Sequence, residues 1–150
     1  EQVLKNWDAI KMQTKEQKTQ TQAMESVSKA LPSLMRSTKV QQKAAKVGFD
    51  WSNAEDALAK LYEECDELKE AVSKGDTDNQ YEELGDVLFS AVNVARLLKM
   101  DSEHALYDAC DKFIGRFSKV EVLAKERGID MKSATLSELD SLWDEVKIKE

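Results

Sequence analysis

Apolar residues along this chain recur at alternating spacings of three and four, and breakers are scarce, with one proline and five glycines. That period belongs to amphipathic helices rather than strands, so the chain reads as all-α, a helical bundle of about five to six helices. A first segment, about Val3 to Ser26, sets Val3, Leu4, Trp7 and Ile10 on one face and then becomes the polar run MQTKEQKTQTQ. The run predicts a frayed stretch, a loop or a crossing to another subunit. Pro32 suits the first turn of a second helix that Gly48 ends. SNAE (52–55) is a capping box opening a third helix, whose Leu58, Leu61, Cys65, Leu68 and Val72 form one stripe expected to be buried. SKGDTD interrupts as a tight polar turn, and a fourth helix follows from about Asn79 to Lys99. Beyond Asp86 it is apolar on most sides and should be central. A fifth helix starts near Asp101 or Ser102 and ends at Gly128, with Phe113 and Phe117 on its buried face. TLSE (135–138), a second capping box, opens a last helix carrying Leu139, Leu142, Trp143 and Val146.

Composition narrows the function. A length of 150 residues fits one domain, and a chain opening on Glu1 rather than Met reads as a piece of a longer one. With 29 acidic against 22 basic residues the net charge is -7, which argues against nucleic acid or an anionic membrane as partner. A phosphate-bearing ligand would need bound cations or a few placed Lys and Arg side chains. Cys65 and Cys110 have no CxxC spacing, so neither a disulfide framework nor a zinc knuckle is indicated, and a reducing cytoplasm fits. No stretch reaches the ~18 apolar residues of a membrane span.

The acidic residues of YEECDELKEAVSKGDTDNQYEELGDVLF (62–89) carry the candidate chemistry. In an antiparallel helix pair, residues equally far from the turn lie at the same height. Glu64 and Asp86 each stand eleven residues from Gly75, and Glu67 and Glu83 each stand eight. Four carboxylates are thus level in two facing pairs, with i, i+3 partners on one helix face. Such charges repel unless protonated or neutralised. Divalent cations relieve that repulsion, and oxygen-only donors favour Mg²⁺, Mn²⁺ or Ca²⁺ over zinc. A solvated acidic surface is the alternative. On a helical wheel Glu64 and Glu83 border the apolar stripes, whereas Glu67 and Asp86 point further round.

Lys112 and Arg116 form an i, i+4 cation pair on the fifth helix, and Trp143 and Lys147 repeat the spacing on the last. Cations of this kind hold phosphate oxygens and an indole stacks on a base. The plainer readings are a core role for Trp143 and pairing of Lys112 and Arg116 with Asp111 or Glu121. Asn93, with Ser90, shares the stripe of Asp86 in an otherwise apolar helix, where it supports the site or satisfies neighbouring backbone. His104 lies at a helix start, a place for surface or capping roles, and as the single histidine, with no nucleophile to partner it, it argues against a Ser or Cys triad. Neither GxxxxGK[ST] nor GxGxxG occurs, so a nucleotide would be held without a Gly-rich loop.

Taken together, the ExxE pair Glu64-Cys-Asp-Glu67 and the ExxD pair Glu83-Leu-Gly-Asp86 resemble the signature of the all-α NTP pyrophosphohydrolase superfamily, and of its MazG family in particular. LPSLMRSTKVQQKAAKVGFDW (31–51), ELGDVLFSAVNVARLL (83–98), ALYDACDKFIGRF (105–117) and LWDEVK (142–147) resemble the family's other stretches in the same order, closest to the C-terminal catalytic domain of two-domain MazG proteins. The resemblance implies an enzyme that hydrolyses a nucleoside triphosphate to the monophosphate and pyrophosphate, with Mg²⁺ held by Glu64, Glu67, Glu83 and Asp86. It also implies nucleotide contacts from Lys112, Arg116, Trp143 and Lys147, and a homodimer or higher homo-oligomer. Cys110 stands where relatives often have Asn, and Val27-Ser28-Lys29 where GVPK is usual. A narrower relative, such as a dUTP or dCTP pyrophosphatase or a phosphoribosyl-ATP pyrophosphohydrolase, and a non-catalytic helical module that binds nucleotides or ions are the competing readings.

Overall fold

The structure, a computed structural model, describes residues 2–14 and 19–150. Among the described residues there are seven helices and no strand: α1 (Gln2–Thr14), α2 (Gln20–Glu25), α3 (Ser33–Ala45), α4 (Ala54–Lys74), α5 (Thr77–Leu97), α6 (Ser102–Glu126) and α7 (Leu136–Ile148). The fold is all-α. The first segment is two helices rather than one; the middle of its polar run, 15–18, lies outside the described residues. Thr19 then opens α2 with a capping box to Gln22. The chain divides into two compact units, Glu1–Glu103 and His104–Glu150.

In the first unit the α4–α5 hairpin is the most extensive helix pair, with α3 against α5 and α2 against α3. The hairpin turns at Gly75, whose φ of 67° lies in the left-handed region that glycine adopts without Cβ strain. Asp76 then caps α5 by accepting from Asn79 N at 3.2 Å. At the other end of α4 the cap is Asn53, which accepts from Asp56 N at 2.8 Å, so the expected Ser52–Glu55 box is displaced by one residue.

The buried line of α4 is displaced likewise. Ala57, Glu64 and Ala71 are buried and Leu61 and Leu68 half-buried, while Leu58, Cys65 and Val72 are exposed. The line keeps Leu61 and Leu68 but takes Ala57, Glu64 and Ala71 in place of Leu58, Cys65 and Val72, a rotation of about 60° of helix. Small alanines at the contact let the two helices approach closely, and the larger apolar groups are left beside the seam. On α5, Ser90 and Val92 are buried, and Val87, Val94, Ala95 and Leu97 are half-buried. Leu84, Leu88 and Phe89 remain exposed, so α5 is central but not enclosed within this unit. Gln41 of α3, only 4% exposed, donates its Nε2 to the Phe89 carbonyl at 2.9 Å and pins α3 to α5. On α1, Val3, Leu4, Trp7 and Ile10 are all exposed, and Asp8 pairs with Lys46 at 2.8 Å.

The second unit is built on α6 and α7. Val120, Ala124, Leu142 and Val146 form its core, with Leu123, Leu139 and Trp143 packed against it. The Thr135–Glu138 capping box forms as expected. Phe113 and Phe117, expected to be buried, are 57% and 40% exposed. With 13 residues against 25, α7 is too short to cover the N-terminal half of α6 within this unit.

The displaced α4 cap is testable by urea unfolding. Asn53→Ala should lower stability by about 1 kcal/mol. Ser52→Ala should change it by less than about 0.5 kcal/mol; the reverse order would restore the Ser52 box.

Candidate metal centre

Because α4 and α5 diverge from one turn, the residues mirrored about Gly75 face each other. Glu64, Glu83 and Asp86 each offer a carboxylate oxygen, and these oxygens all lie within 4.8 Å of one another. Glu67 stands outside that triad but shares a hydrogen bond with Glu64. Glu64 is buried and Glu83 half-buried, whereas Glu67 and Asp86 are exposed, the order the helical wheel gives.

The electrostatics are those of a crowded anionic pocket with one resident cation. The Lys60 ammonium reaches Glu64 at 2.6 Å and Glu63 at 2.9 Å. The hydrogen bond from Lys60 holds the Glu64 carboxyl below its ordinary range, and the same contacts raise the Lys60 ammonium. Glu67 is pushed the other way by its hydrogen bond with Glu64, and Glu83 is raised by desolvation and then by the charge of Asp86. One ammonium therefore stands against a cluster of carboxylates, two of which have their pKa raised by their neighbours. A divalent cation fits this donor set: the ligands are hard oxygens, they converge, and their charge is incompletely balanced.

Asn93 lies two turns beyond Asp86 on α5, in an ordered polar group. Its Oδ1 accepts from Arg96 Nε at 3.3 Å and from a terminal Arg96 nitrogen at 2.9 Å. Arg96 also donates to both carboxylate oxygens of Asp50, one of them at 3.0 Å. That contact holds the Asp50 carboxyl below its usual range and ties the GFDW segment (48–51) to α5. Asn93 thus finds its partner in the side chain three residues on along the same helix, not in neighbouring backbone.

The carboxylates and Asn93 belong to the first unit, and Lys112, Arg116, Trp143 and Lys147 belong to the second. Arg116 is half-buried and pairs with Glu150 at 2.8 Å, an acceptor different from the expected Asp111 or Glu121. Lys119 shares that carboxylate at 3.0 Å. Lys112 and Lys147 are exposed. Trp143 packs on the α6–α7 core, its ring centroid 5.2 Å from that of Phe113, which is the core role weighed for it. His104 is exposed beside Asp108, and Cys65 and Cys110 are free and exposed. Sequence reasoning passed over Lys60, although its position four residues before Glu64 is the spacing of a helical ion pair. Gln41 and the Asp50–Arg96 pair were also missed; nothing local marks a contact across 46 residues.

With this geometry in place, comparison with known proteins is specific. Residues 52–121 match the MazG nucleotide pyrophosphohydrolase domain, a span holding the whole hairpin and all four carboxylates. Over this span the chain is similar to the MazG family. Over 99% of its length it is 38% identical to a protein of Escherichia coli (strain K12) named nucleoside triphosphate pyrophosphohydrolase. Over 95% it is 38% identical to the nucleoside triphosphate pyrophosphohydrolase/pyrophosphatase MazG of Thermotoga maritima, and over 97% it is 42% identical to YabN of Bacillus subtilis (strain 168). It spans 57%, 54% and 30% of those proteins respectively, about half their length or less.

The Asp50–Arg96 pair gives a pH prediction with a definite sign. A carboxyl whose folded pKa is depressed stabilises the fold above its unfolded value and loses that contribution as pH falls through the folded one. Asp50→Asn should therefore cost about 2 kcal/mol near neutral pH, where Arg96 loses a charged acceptor. The difference from wild type should shrink below about pH 4 and vanish once Asp50 is protonated in both states. Urea melts across the acid range check this; a constant difference would remove the ion pair as its cause.

Proposed function

We propose that this chain is the catalytic part of a metal-dependent nucleoside triphosphate pyrophosphohydrolase that converts an NTP to NMP and pyrophosphate, removing non-canonical or excess nucleotides. The observation that carries the reading is the convergence of Glu64, Glu83 and Asp86 within 4.8 Å on facing helices of a MazG domain. Glu64, Glu67, Glu83 and Asp86 hold Mg²⁺, for which Mn²⁺ can substitute. When bound there, such an ion neutralises phosphate oxygens and acidifies a coordinated water.

The chain's own residues supply the rest. Lys60, on the same α4 face as Glu64, offers a cation to the phosphate chain. Glu63, exposed, adjacent to Glu64 in sequence though on a different part of the helical wheel, and paired with Lys60 at 2.9 Å, is the candidate to take the proton of the attacking water. Water adds across the anhydride between the α and β phosphoryl groups, and pyrophosphate departs. Lys112, Arg116, Trp143 and Lys147 serve as nucleotide contacts, a role supported by the chemistry of their side chains and by the family resemblance. The enzyme works as a homodimer or higher homo-oligomer in a reducing cytoplasm; apolar faces left exposed on α1 and α5 support the first part and unpaired cysteines the second. Among the described residues no helix is long and apolar enough to cross a membrane.

Incubating the chain with NTPs, dNTPs and altered-base triphosphates, with and without Mg²⁺, tests the reading. The expected products are NMP and pyrophosphate, lost on adding chelator. Intact nucleotides, or NDP and phosphate, would refute it. Glu64→Gln and Asp86→Asn should each lower turnover by about 100-fold or more while the helical circular dichroism is retained.

A further inference from the structure

Along α6, Lys112, Arg116 and Lys119 recur at i, i+4 and i+7, which sets three cations on one helix face. Trp143, Lys147 and Glu150 repeat that spacing along α7 and just past its end. Four of these six are the side chains proposed above to contact the nucleotide. Glu150 differs from all of them in carrying a negative charge. It places one carboxylate oxygen 2.8 Å from Arg116 Nε and the other 3.0 Å from Lys119 Nζ. Each oxygen thus takes one cation, as two non-bridging oxygens of a phosphate do.

Glu150 is not held there by its own helix. It stands two residues beyond Ile148, with its backbone N–H donating to the Lys147 carbonyl at 3.4 Å. The C-terminal end of a helix is the negative end of its dipole and disfavours a carboxylate. The α6 cations are therefore what fixes the side chain, and their hold is incomplete. Arg116 donates through Nε, while its two terminal nitrogens, the fork that grips an anion through two bonds, have no partner among the described residues. Arg96, by contrast, gives both terminal nitrogens to Asp50. The side chains of Arg116 and Glu150 are 23% and 30% exposed and that of Lys119 is 58% exposed. Water screens such a pair, so exchanging it for a stronger anion costs little.

A phosphate chain is that stronger anion. It carries more charge than one carboxylate and offers the guanidinium fork two oxygens at once. We propose that Glu150 is an internal stand-in for phosphate: it holds Arg116 until the phosphate chain of the nucleotide takes the guanidinium from it, and reclaims Arg116 when product leaves. The inference rests on the nucleotide reading above and adds a residue that sets affinity without touching the substrate. Because Glu150 competes with substrate and product alike, it weakens both and speeds product release.

The test is a calorimetric titration of the full chain, in Mg²⁺, with pyrophosphate and with α,β-methylene-ATP, whose carbon bridge resists cleavage. Glu150→Gln keeps the shape of the side chain and removes its charge, and it should bind both probes about fivefold more tightly than wild type. Glu145→Gln controls for net charge. Glu145 lies on the same helix but pairs with Arg127 and Lys149 at 2.6 and 2.8 Å, so its substitution should change binding by less than about twofold. Arg116→Gln should weaken the analogue about tenfold. Adding Glu150→Gln to Arg116→Gln should then change binding by less than about twofold, since the competition is gone. Wild-type or weaker binding by Glu150→Gln, or an equal gain in Glu145→Gln, overturns the stand-in. Arg116 separates the two readings. Weaker binding by Arg116→Gln with no gain in Glu150→Gln leaves the nucleotide contact standing and removes the stand-in, whereas unchanged binding by Arg116→Gln removes both. Tighter binding by Glu150→Gln without NTP cleavage by wild type keeps the stand-in and removes the hydrolase. Where NTP is cleaved, KM in Glu150→Gln should fall by the same factor as the dissociation constant while kcat does not rise, and an unchanged KM counts against the stand-in.

Discussion

Like charges held at one height by a helical hairpin are the constraint around which the first unit is arranged. The Gly75 turn fixes the register of α4 and α5, and the register in turn fixes which carboxylates meet. Packing works against electrostatics here. Ala57 and Ala71 draw the helices together, and Glu64 sits between them on the same buried line. Burying a carboxylate is costly unless it is paired. Lys60 supplies the pair for Glu64, but Glu67 and Glu83 remain displaced toward the protonated form. The seam thus holds an anionic cluster in which one lysine pairs with Glu64 while the hydrogen bond with Glu64 raises the pKa of Glu67, and burial with neighbouring charge raises that of Glu83.

From this seam α5 runs on as a shared rail. Asp86, Asn93 and Arg96 follow one another along one side of it, and two long-range contacts attach other segments to that side. Gln41 fastens α3 through the Phe89 carbonyl, and Asp50 fastens the GFDW segment through Arg96. Both contacts join a side chain with little freedom to a helix already fixed by its hairpin. Phe49 and Trp51 are therefore held open beside α5 by their neighbours on the chain, since Asp50 between them is anchored.

What the sequence made legible depended on whether a feature is set by spacing or by contact. The hairpin and its Gly75 turn are matters of spacing, and the structure has them where the sequence puts them; of the two i, i+3 acid pairs it converges Glu64, Glu83 and Asp86 and leaves Glu67 outside the triad. The α4 cap missed by one residue because Ser52 and Asn53 are adjacent and equally able to cap, so only the entry of the chain decides. The buried stripe was rotated because leucine and valine outweigh alanine in any apolar count, whereas closely packed helices need the small residue at the seam. Gln41 was invisible for a related reason. A polar residue on a helix reads as surface, and only the carbonyl of Phe89, 48 residues away, makes it a buried one. The roles proposed for Lys112, Arg116, Trp143 and Lys147 came from resemblance, and within their own unit Arg116 meets Glu150 and Trp143 packs on the core.

The faces that periodicity marked as buried and the structure leaves open follow the same logic. Periodic apolar positions report that a helix face is covered; they do not report by what. α5 is covered by α4 and α3, yet Leu84 and Leu88 stay half exposed, and on α4 Tyr62 and Val72 are 65% and 59% exposed. On α1 the whole apolar set from Val3 to Ile10 is open. Scattered exposed leucines are ordinary, but Tyr81, Leu84 and Leu88 follow one another at helical spacing on α5, and apolar positions so arranged are what a partner helix covers. A second copy of the chain brings the same strip in return, which a two-fold interface requires. That self-complementarity is the physical ground for the proposed homo-oligomer, and it lies on the hairpin that carries the carboxylates.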